Sequence, residues 1–272
     1  MNFQTRPLSE NFGVDVLDID LAQIDTDMAE AILSTVQEHA LLLFRRQSLH
    51  DHDIYRLSAA LGPVEEPPAA KNNHSPGFKA VIYIANINSL DGTLIRGNMI
   101  DNTDGEWHSD QAYRQSPATL STLFCVICPE SGGSTSFSST RMGYESLPQA
   151  LKDRVDNMKV LYRPGTSHGV PDIQVTHPAV LINPESGVKT LYVAPSTRGF
   201  KDLEDAESKT LKDELLSYQL RPEHIYQHNW RMGDMLIYDN AQLLHKRDAF
   251  EGIRFLKATR LFLSPDRFAI PD

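Results

Sequence analysis

Four stretches of this 272-residue chain carry side chains that could act together. The first is Trp107-His108-Ser109-Asp110. Alternate side chains of an extended segment share a face, so His108 and Asp110 can converge on one metal ion. With ten histidines and 36 acids in the chain, a pair of this kind also arises by chance, and a solvated loop explains it equally well. The second stretch runs from the apolar MLIY through Asp239-Asn240-Ala241-Gln242 to His245. Alone, His245 reads as a structural histidine. Joined to His108 and Asp110 it completes two nitrogens and one carboxylate, a facial set that leaves positions on a divalent iron open for a co-substrate and oxygen. The third is Gly132-Gly133-Ser134-Thr135, where paired glycines allow close backbone approach and Thr135 offers a hydroxyl to an anion. A hairpin turn is the plainer account of it. The fourth is Arg254 within Gly252-Ile253-Arg254-Phe255-Leu256. A buried guanidinium needs an anion and can grip a carboxylate with two parallel bonds. Arg260, six residues on, has the same strand parity and could serve instead, and either arginine could simply end a strand at the surface.

The elements that must carry these side chains are mostly short strands. GVDVLDIDL alternates like a half-buried strand, Asp27 can cap a helix through AEAILSTVQEHA, and ALLLF reads as a buried strand. A helix from about Asp51 to Leu61 stops at Gly62-Pro63, and VIYIANI is a further strand. Beyond residue 100, TLSTLFCVI, STSFSS, AVLIN, TLYVAP, MLIYDN and FLKATRLFL are strand-like, with Asn183 to Gly187 the plainest hairpin. Helical stretches lie near Met142–Met158 and Leu203–Gln219. Many strands with few helices suggest a closed β sandwich or jelly roll with helices packed outside. Punctuation by Gly and Pro without a linker implies one domain, 1–272, and the aperiodic segment 163–177 reads as a lid-like insertion.

Composition narrows the functions available. A formal net charge of −10 argues against a nucleic-acid partner. No apolar run is long enough to span a membrane, the start MNFQTRPLSENFG lacks a signal-peptide core, and two cysteines cannot staple a chain this long. These features predict a protein of the reducing cytoplasm.

In order, the pieces are W-H-S-D, P-E-S-G-G-S-T-S-F, W-R-M-G-D-M-L-I-Y-D-N-A-Q-L-L-H and G-I-R-F-L, preceded by HALLLFRRQ and LGPVEE. This wording resembles the taurine dioxygenase and dichlorophenoxyacetate dioxygenase (TauD/TfdA) family of iron(II)/2-oxoglutarate enzymes over nearly the whole chain. The resemblance implies a double-stranded β-helix (jelly roll, cupin-like) core, mainly β with flanking helices. It implies His108, Asp110 and His245 as ligands of Fe(II), with Thr135 and Arg254 on the far carboxylate of 2-oxoglutarate. It implies O2-dependent oxidation, usually hydroxylation, of an unactivated C–H bond of a small organic molecule, releasing succinate and CO2. Family halogenases lack the carboxylate, so Asp110 implies oxygenation. Several relatives carry a second arginine four residues after the clamp, where this chain has Ala258. The interval from His245 to Arg254 is also short, which keeps Arg260 as the alternative clamp. For the substrate, the resemblance points to the loops KNNHSPGF and RGNMIDNTDGEW and so to His74 and Asn98. Asp101, Asp104 and Glu106 could meet an amine, although a solvated acidic loop is simpler. Self-association as a homo-oligomer is left open.

Other metal-like groupings read as structure. Cys125 and Cys128, three apart on a strand, should face opposite sides and fill the core. His50-Asp51-His52 sits at a helix start, where Asp is a natural cap, and His168 reads as packing or surface. Two other functions share the fold: a non-redox cupin-type isomerase or hydrolase, and a binding protein on a decayed jelly roll. A remote dicarboxylate clamp argues against the first, and an intact His-Asp-His set against the second.

Overall fold

Leu41–Phe44 forms a strand with every side chain buried. A computed structural model describes residues 2–67, 74–87, 93, 104–164 and 172–271, and places this strand inside a seven-stranded sheet. The order across the sheet is Thr5–Pro7, Val14–Val16, Leu41–Phe44, Met235–Asp239, Leu120–Ile127, Phe255–Leu261 and Ile82–Ala85. Val14–Val16 runs parallel to Leu41–Phe44, and the other neighbours are antiparallel. A strand covered on both faces requires an apolar residue at every position, which LLLF supplies.

Alternation along these strands sorts the side chains. Leu42, Phe44, Phe124, Met235, Ile237 and Leu261 pack under two helices, Thr26–His39 and Asp51–Leu61. Leu41, Leu43, Leu123, Cys125, Leu236, Tyr238, Leu256 and Ala258 face the other way. There they meet a smaller sheet ordered Ile225–His228, Thr135–Ser139, Leu243–Arg247, whose Phe137 ring lies 5.2 Å from that of Tyr238. The two facing sheets make the expected jelly roll, with helices outside. A second core gathers around Lys159–Tyr162, Val175–Pro178, Gly199–Phe200 and the helix Asp205–Gln219.

Several details depart from the sequence reading. Asp25, not Asp27, caps the first helix by accepting from the Met28 amide at 2.8 Å, and Asp27 sits in the first turn. The strand from GVDVLDIDL covers only Val14–Val16, because Asp18 turns to φ 56 and Asp20 then caps a short 3-10 turn. The helix expected near 142–158 is two helices, Thr140–Glu145 and Gln149–Val155, with Pro148 between them. Proline disfavours helical backbone in the residue before it. Asp51 pairs with Lys257 at 2.7 Å and accepts from Tyr83 at 2.6 Å. The Asn183 hairpin is present, its side chain accepting from the amides of Glu185 and Ser186. The lid-like segment ends in the strand Val175–Pro178, and its middle, 165–171 with His168, lies outside the described residues.

The pairing of the strand Leu120–Ile127 is irregular near its end. Phe255 pairs with Ile127 and Leu256 with Cys125, so Val126 has no counterpart and bulges. The extra residue resets the alternation. Cys125 and Cys128 therefore share the inner face, their sulfurs 3.3 Å apart, contrary to the expectation from spacing.

Candidate active site

His108 and His245 sit opposite one another across the mouth of the jelly roll. Each exchanges both backbone bonds with the other, His108 N to His245 O at 3.0 Å and His245 N to His108 O at 2.8 Å. This pairing brings the two rings to 4.2 Å between centroids. Past Asp110 the chain turns sharply, with Gln111 at φ 60, and the Asp110 carboxylate reaches the same point as the two rings. Donor atoms of His108, Asp110 and His245 all lie within 4.8 Å of one another.

The surroundings suit these groups to a cation. The His108 Nδ1 lies 2.8 Å from the Glu106 carbonyl, so a proton held there leaves the Nε2 lone pair free. Burial, with the nearby His108, drives the His245 pKa down to about 3, so that ring is neutral at ordinary pH. Burial opposes ionisation of Asp110, but Arg260 and the two imidazoles outweigh it and hold the carboxyl well below the usual range. Asp110 also accepts from Ser121 at 2.8 Å and lies 3.3 Å from the Tyr238 hydroxyl. The buried His245 Nδ1 has no hydrogen-bond partner among the described residues. Two imidazoles and one carboxylate converging on a single point fit a divalent ion of the iron class.

The two arginines take different places. Arg260 reaches Asp110 at 3.2 Å and Glu65 at 3.7 Å, and Glu65 also pairs with Arg114 at 2.7 Å. Arg254 lies just before its strand, its amide donating to Asn86 Oδ1 at 2.8 Å. Its side chain donates to the Gly133 carbonyl at 3.2 Å and to Thr135 Oγ1 at 3.4 Å. Among the described residues no carboxylate pairs with it, although it is only 4% exposed. Burial brings its pKa down to about 10. An unpaired buried cation is costly, and an anionic ligand beside Thr135 would satisfy it. Gly132 and Gly133, at φ 68 and 70, let this corner close, since a Cβ on Gly132 would stand 2.1 Å from the Ala249 carbonyl.

Trp230 is not marked by spacing, yet its indole N–H donates to Thr135 Oγ1 at 3.0 Å. Its ring meets His228 edge-on at 4.6 Å, and His228 contacts Asp234, itself paired with Arg45 at 2.7 Å. Only the W-R-M-G-D wording signals this group. Glu65 and Tyr238, neighbours of the Asp110 cluster, fall within the quoted LGPVEE and MLIYDN wording without being marked for a role, and Ser121 carries no signal in the sequence. His74 lies beside Ile82 at the sheet edge, its Nδ1 3.0 Å from the Ser75 carbonyl. Asn98 and Asp101 lie outside the described residues. Asp104 accepts from the Ala249 amide at 2.8 Å.

Comparison with known proteins adds four observations. Residues 4–260 match the model of the taurine catabolism dioxygenase TauD, TfdA family. The chain is 29% identical over 262 residues to an (S)-phenoxypropionate/alpha-ketoglutarate-dioxygenase of Sphingobium herbicidovorans, covering 90% of this chain and 88% of the relative. It is 29% identical over 268 residues to an alpha-ketoglutarate-dependent 2,4-dichlorophenoxyacetate dioxygenase of Cupriavidus pinatubonensis, covering 90% and 92%. The crystal structure of AAD-2 with Mn(II) and N-oxalylglycine superposes with a TM-score of 0.86 at 20% identity, covering 97% of this chain and 99% of that one, and supports the fold.

Proposed function

The chain belongs to the taurine catabolism dioxygenase TauD, TfdA family and is a 2-oxoglutarate-dependent dioxygenase, and on that premise we propose that His108, Asp110 and His245 hold Fe(II) while Arg254 and Thr135 bind the far carboxylate of 2-oxoglutarate. The observation that carries the reading is the pairing of a histidine and carboxylate cluster with a buried arginine that lacks an anion, both on the inner face of one jelly roll. When bound, the metal supplies the redox chemistry that couples decarboxylation of 2-oxoglutarate by O2, giving succinate and CO2, to oxidation of a substrate C–H bond. The protein contributes position and exclusion. Arg254 neutralises and aims the co-substrate, and Thr135 donates to its carboxylate. Ser121, Tyr238 and Arg260 fix the orientation of Asp110. Arg260 is engaged by two carboxylates, which favours Arg254 as the clamp.

Hydroxylation of a small organic molecule is the outcome this site supports, and aryloxy acids of the kind named for its relatives are the first compounds to screen. The proposed setting is the cytoplasm, without nucleic acid or membrane; among the described residues no helix is long and apolar enough to cross one. The non-redox isomerase or hydrolase reading is not favoured, since it leaves the Arg254–Thr135 corner without use. Anaerobic addition of ferrous iron and 2-oxoglutarate should produce a weak visible charge-transfer band, and its absence from folded protein would remove the proposal. Arg254→Ala should raise the KM for 2-oxoglutarate about 10- to 100-fold, the scale of a charge-assisted contact. If Arg260→Ala alone does so, the clamp has been misassigned.

A further inference from the structure

Cys125 and Cys128 are the two cysteines of the chain, and the bulge at Val126 turns both onto the inner face with their sulfurs 3.3 Å apart. Closing that gap to a bonded distance of about 2.0 Å brings the sulfurs about 1.3 Å closer together. Cys125 is buried and Cys128 is partly exposed, so Cys128 is the member of the pair nearer solvent. The pair stands beside the proposed clamp. Pro129 follows Cys128 and packs on Gly133, where an added Cβ would meet Pro129 Cγ at 2.6 Å and Arg254 Cδ at 3.3 Å. The Gly133 carbonyl in turn accepts from Arg254 Nε at 3.2 Å. Drawing Cys128 toward Cys125 thus pulls on Pro129 and Gly133, which seat the guanidinium.

We propose that Cys125 and Cys128 form an oxidisable dithiol whose disulfide weakens the binding of 2-oxoglutarate at Arg254. The effect on 2-oxoglutarate rests on Arg254 being the clamp; the cross-link does not. With hydrogen peroxide as oxidant, the Cys128 sulfur attacks one peroxide oxygen, the O–O bond breaks, and a sulfenic acid and one water result. The Cys125 sulfur then displaces the hydroxyl, forming S–S and breaking S–O, and a second water leaves with the thiol proton. Two thiols are oxidised by two electrons and peroxide is reduced to two waters. A dithiol reduces the bond again, in keeping with the transient disulfides of reducing compartments.

Metal-free protein held in chelator is treated with a slight excess of hydrogen peroxide, then unfolded in guanidinium, alkylated with N-ethylmaleimide and weighed intact. Calorimetric titration of manganese-loaded reduced and oxidised samples with 2-oxoglutarate gives affinity without turnover. The expected result is loss of both alkylatable thiols, an intramolecular Cys125–Cys128 cross-link, full reversal by dithiothreitol, and an affinity about tenfold lower in the oxidised form. Cys128→Ser should bind 2-oxoglutarate as the reduced protein does and ignore peroxide. Thiols that stay alkylatable, or a disulfide that leaves the affinity unchanged, would overturn the proposal. Reduced protein that binds no 2-oxoglutarate would instead defeat the clamp assignment, while the thiol count still judges the cross-link.

Discussion

At the level of single residues, the Thr135 hydroxyl shows how a neighbour decides what a group can do. Its oxygen already accepts from the Trp230 indole at 3.0 Å and lies 3.4 Å from an Arg254 nitrogen. With its oxygen so engaged, its own proton is left to donate outward, toward the anion proposed at Arg254. Trp230→Phe keeps an aromatic ring beside His228 and removes the indole N–H together with part of the ring system. Loss of one such bond is worth about 1 kcal/mol, so the KM for 2-oxoglutarate should rise about fivefold with kcat little changed. Steady-state kinetics at saturating substrate would check this, and a fall in kcat at constant KM would contradict it. The His-x-Asp and the distant His were each ambiguous alone and stood out only through the family resemblance; the fold brings their donor atoms within 4.8 Å of one another. The choice between Arg254 and Arg260 was not. Their parity is the same, and what separates them is that Asp110 and Glu65 already neutralise Arg260. Trp230 meets a residue 95 positions away, a pairing that no local pattern encodes.

At the level of elements, the strands were legible because their periodicity matches a sheet with two different faces. Leu41–Phe44 and Met235–Asp239 are buried throughout. The bulge at Val126 was not legible, since one extra residue leaves the apolar run TLFCVI unchanged while reversing the face of everything after it. The turn before Thr135 is a similar case. Gly132 pairs with Phe250 in a two-residue ladder, with φ 68 and no room for a side chain. Gly132→Ala meets both a strained backbone and the Ala249 carbonyl. A loss of about 1–3 kcal/mol in unfolding free energy is expected, read as a lower urea midpoint with an unchanged slope. Because this turn shapes the Arg254 corner, the variant should also bind 2-oxoglutarate less well. Full stability would mean that the backbone there relaxes freely.

For the molecule as a whole, the buried ionisable groups fix how stability responds to acid. In the metal-free protein, His245 titrates near 3 instead of its ordinary 6.5, chiefly through burial. The unfolded chain therefore binds a proton that the folded chain refuses between those values, and stability falls as pH drops from about 6.5 toward 3. Burial lowers His228 as well, which acts in the same direction. Asp239 opposes them. Burial raises its carboxyl to about 6 despite bonds from Gln242 and from the Ala241 and Gln242 amides, so the folded chain takes up a proton first and gains stability as pH falls from about 6 to 3.8. The larger displacement belongs to His245, so the urea midpoint of the metal-free protein should be lower at pH 5 than at pH 7. Asp239→Asn keeps an oxygen for the two amides and removes the opposing titration, and the decline should steepen. Adding manganese(II) should lift the midpoint at both pH 7 and pH 5, because the folded chain already holds His245 neutral at either value and the metal binds only the folded state. In metal-free Asp239→Asn, where the opposing titration is gone, a midpoint that does not change between pH 7 and pH 5 would show that His245 is protonated in the folded state. The neutral-imidazole site on which the reaction is built would then have to be abandoned.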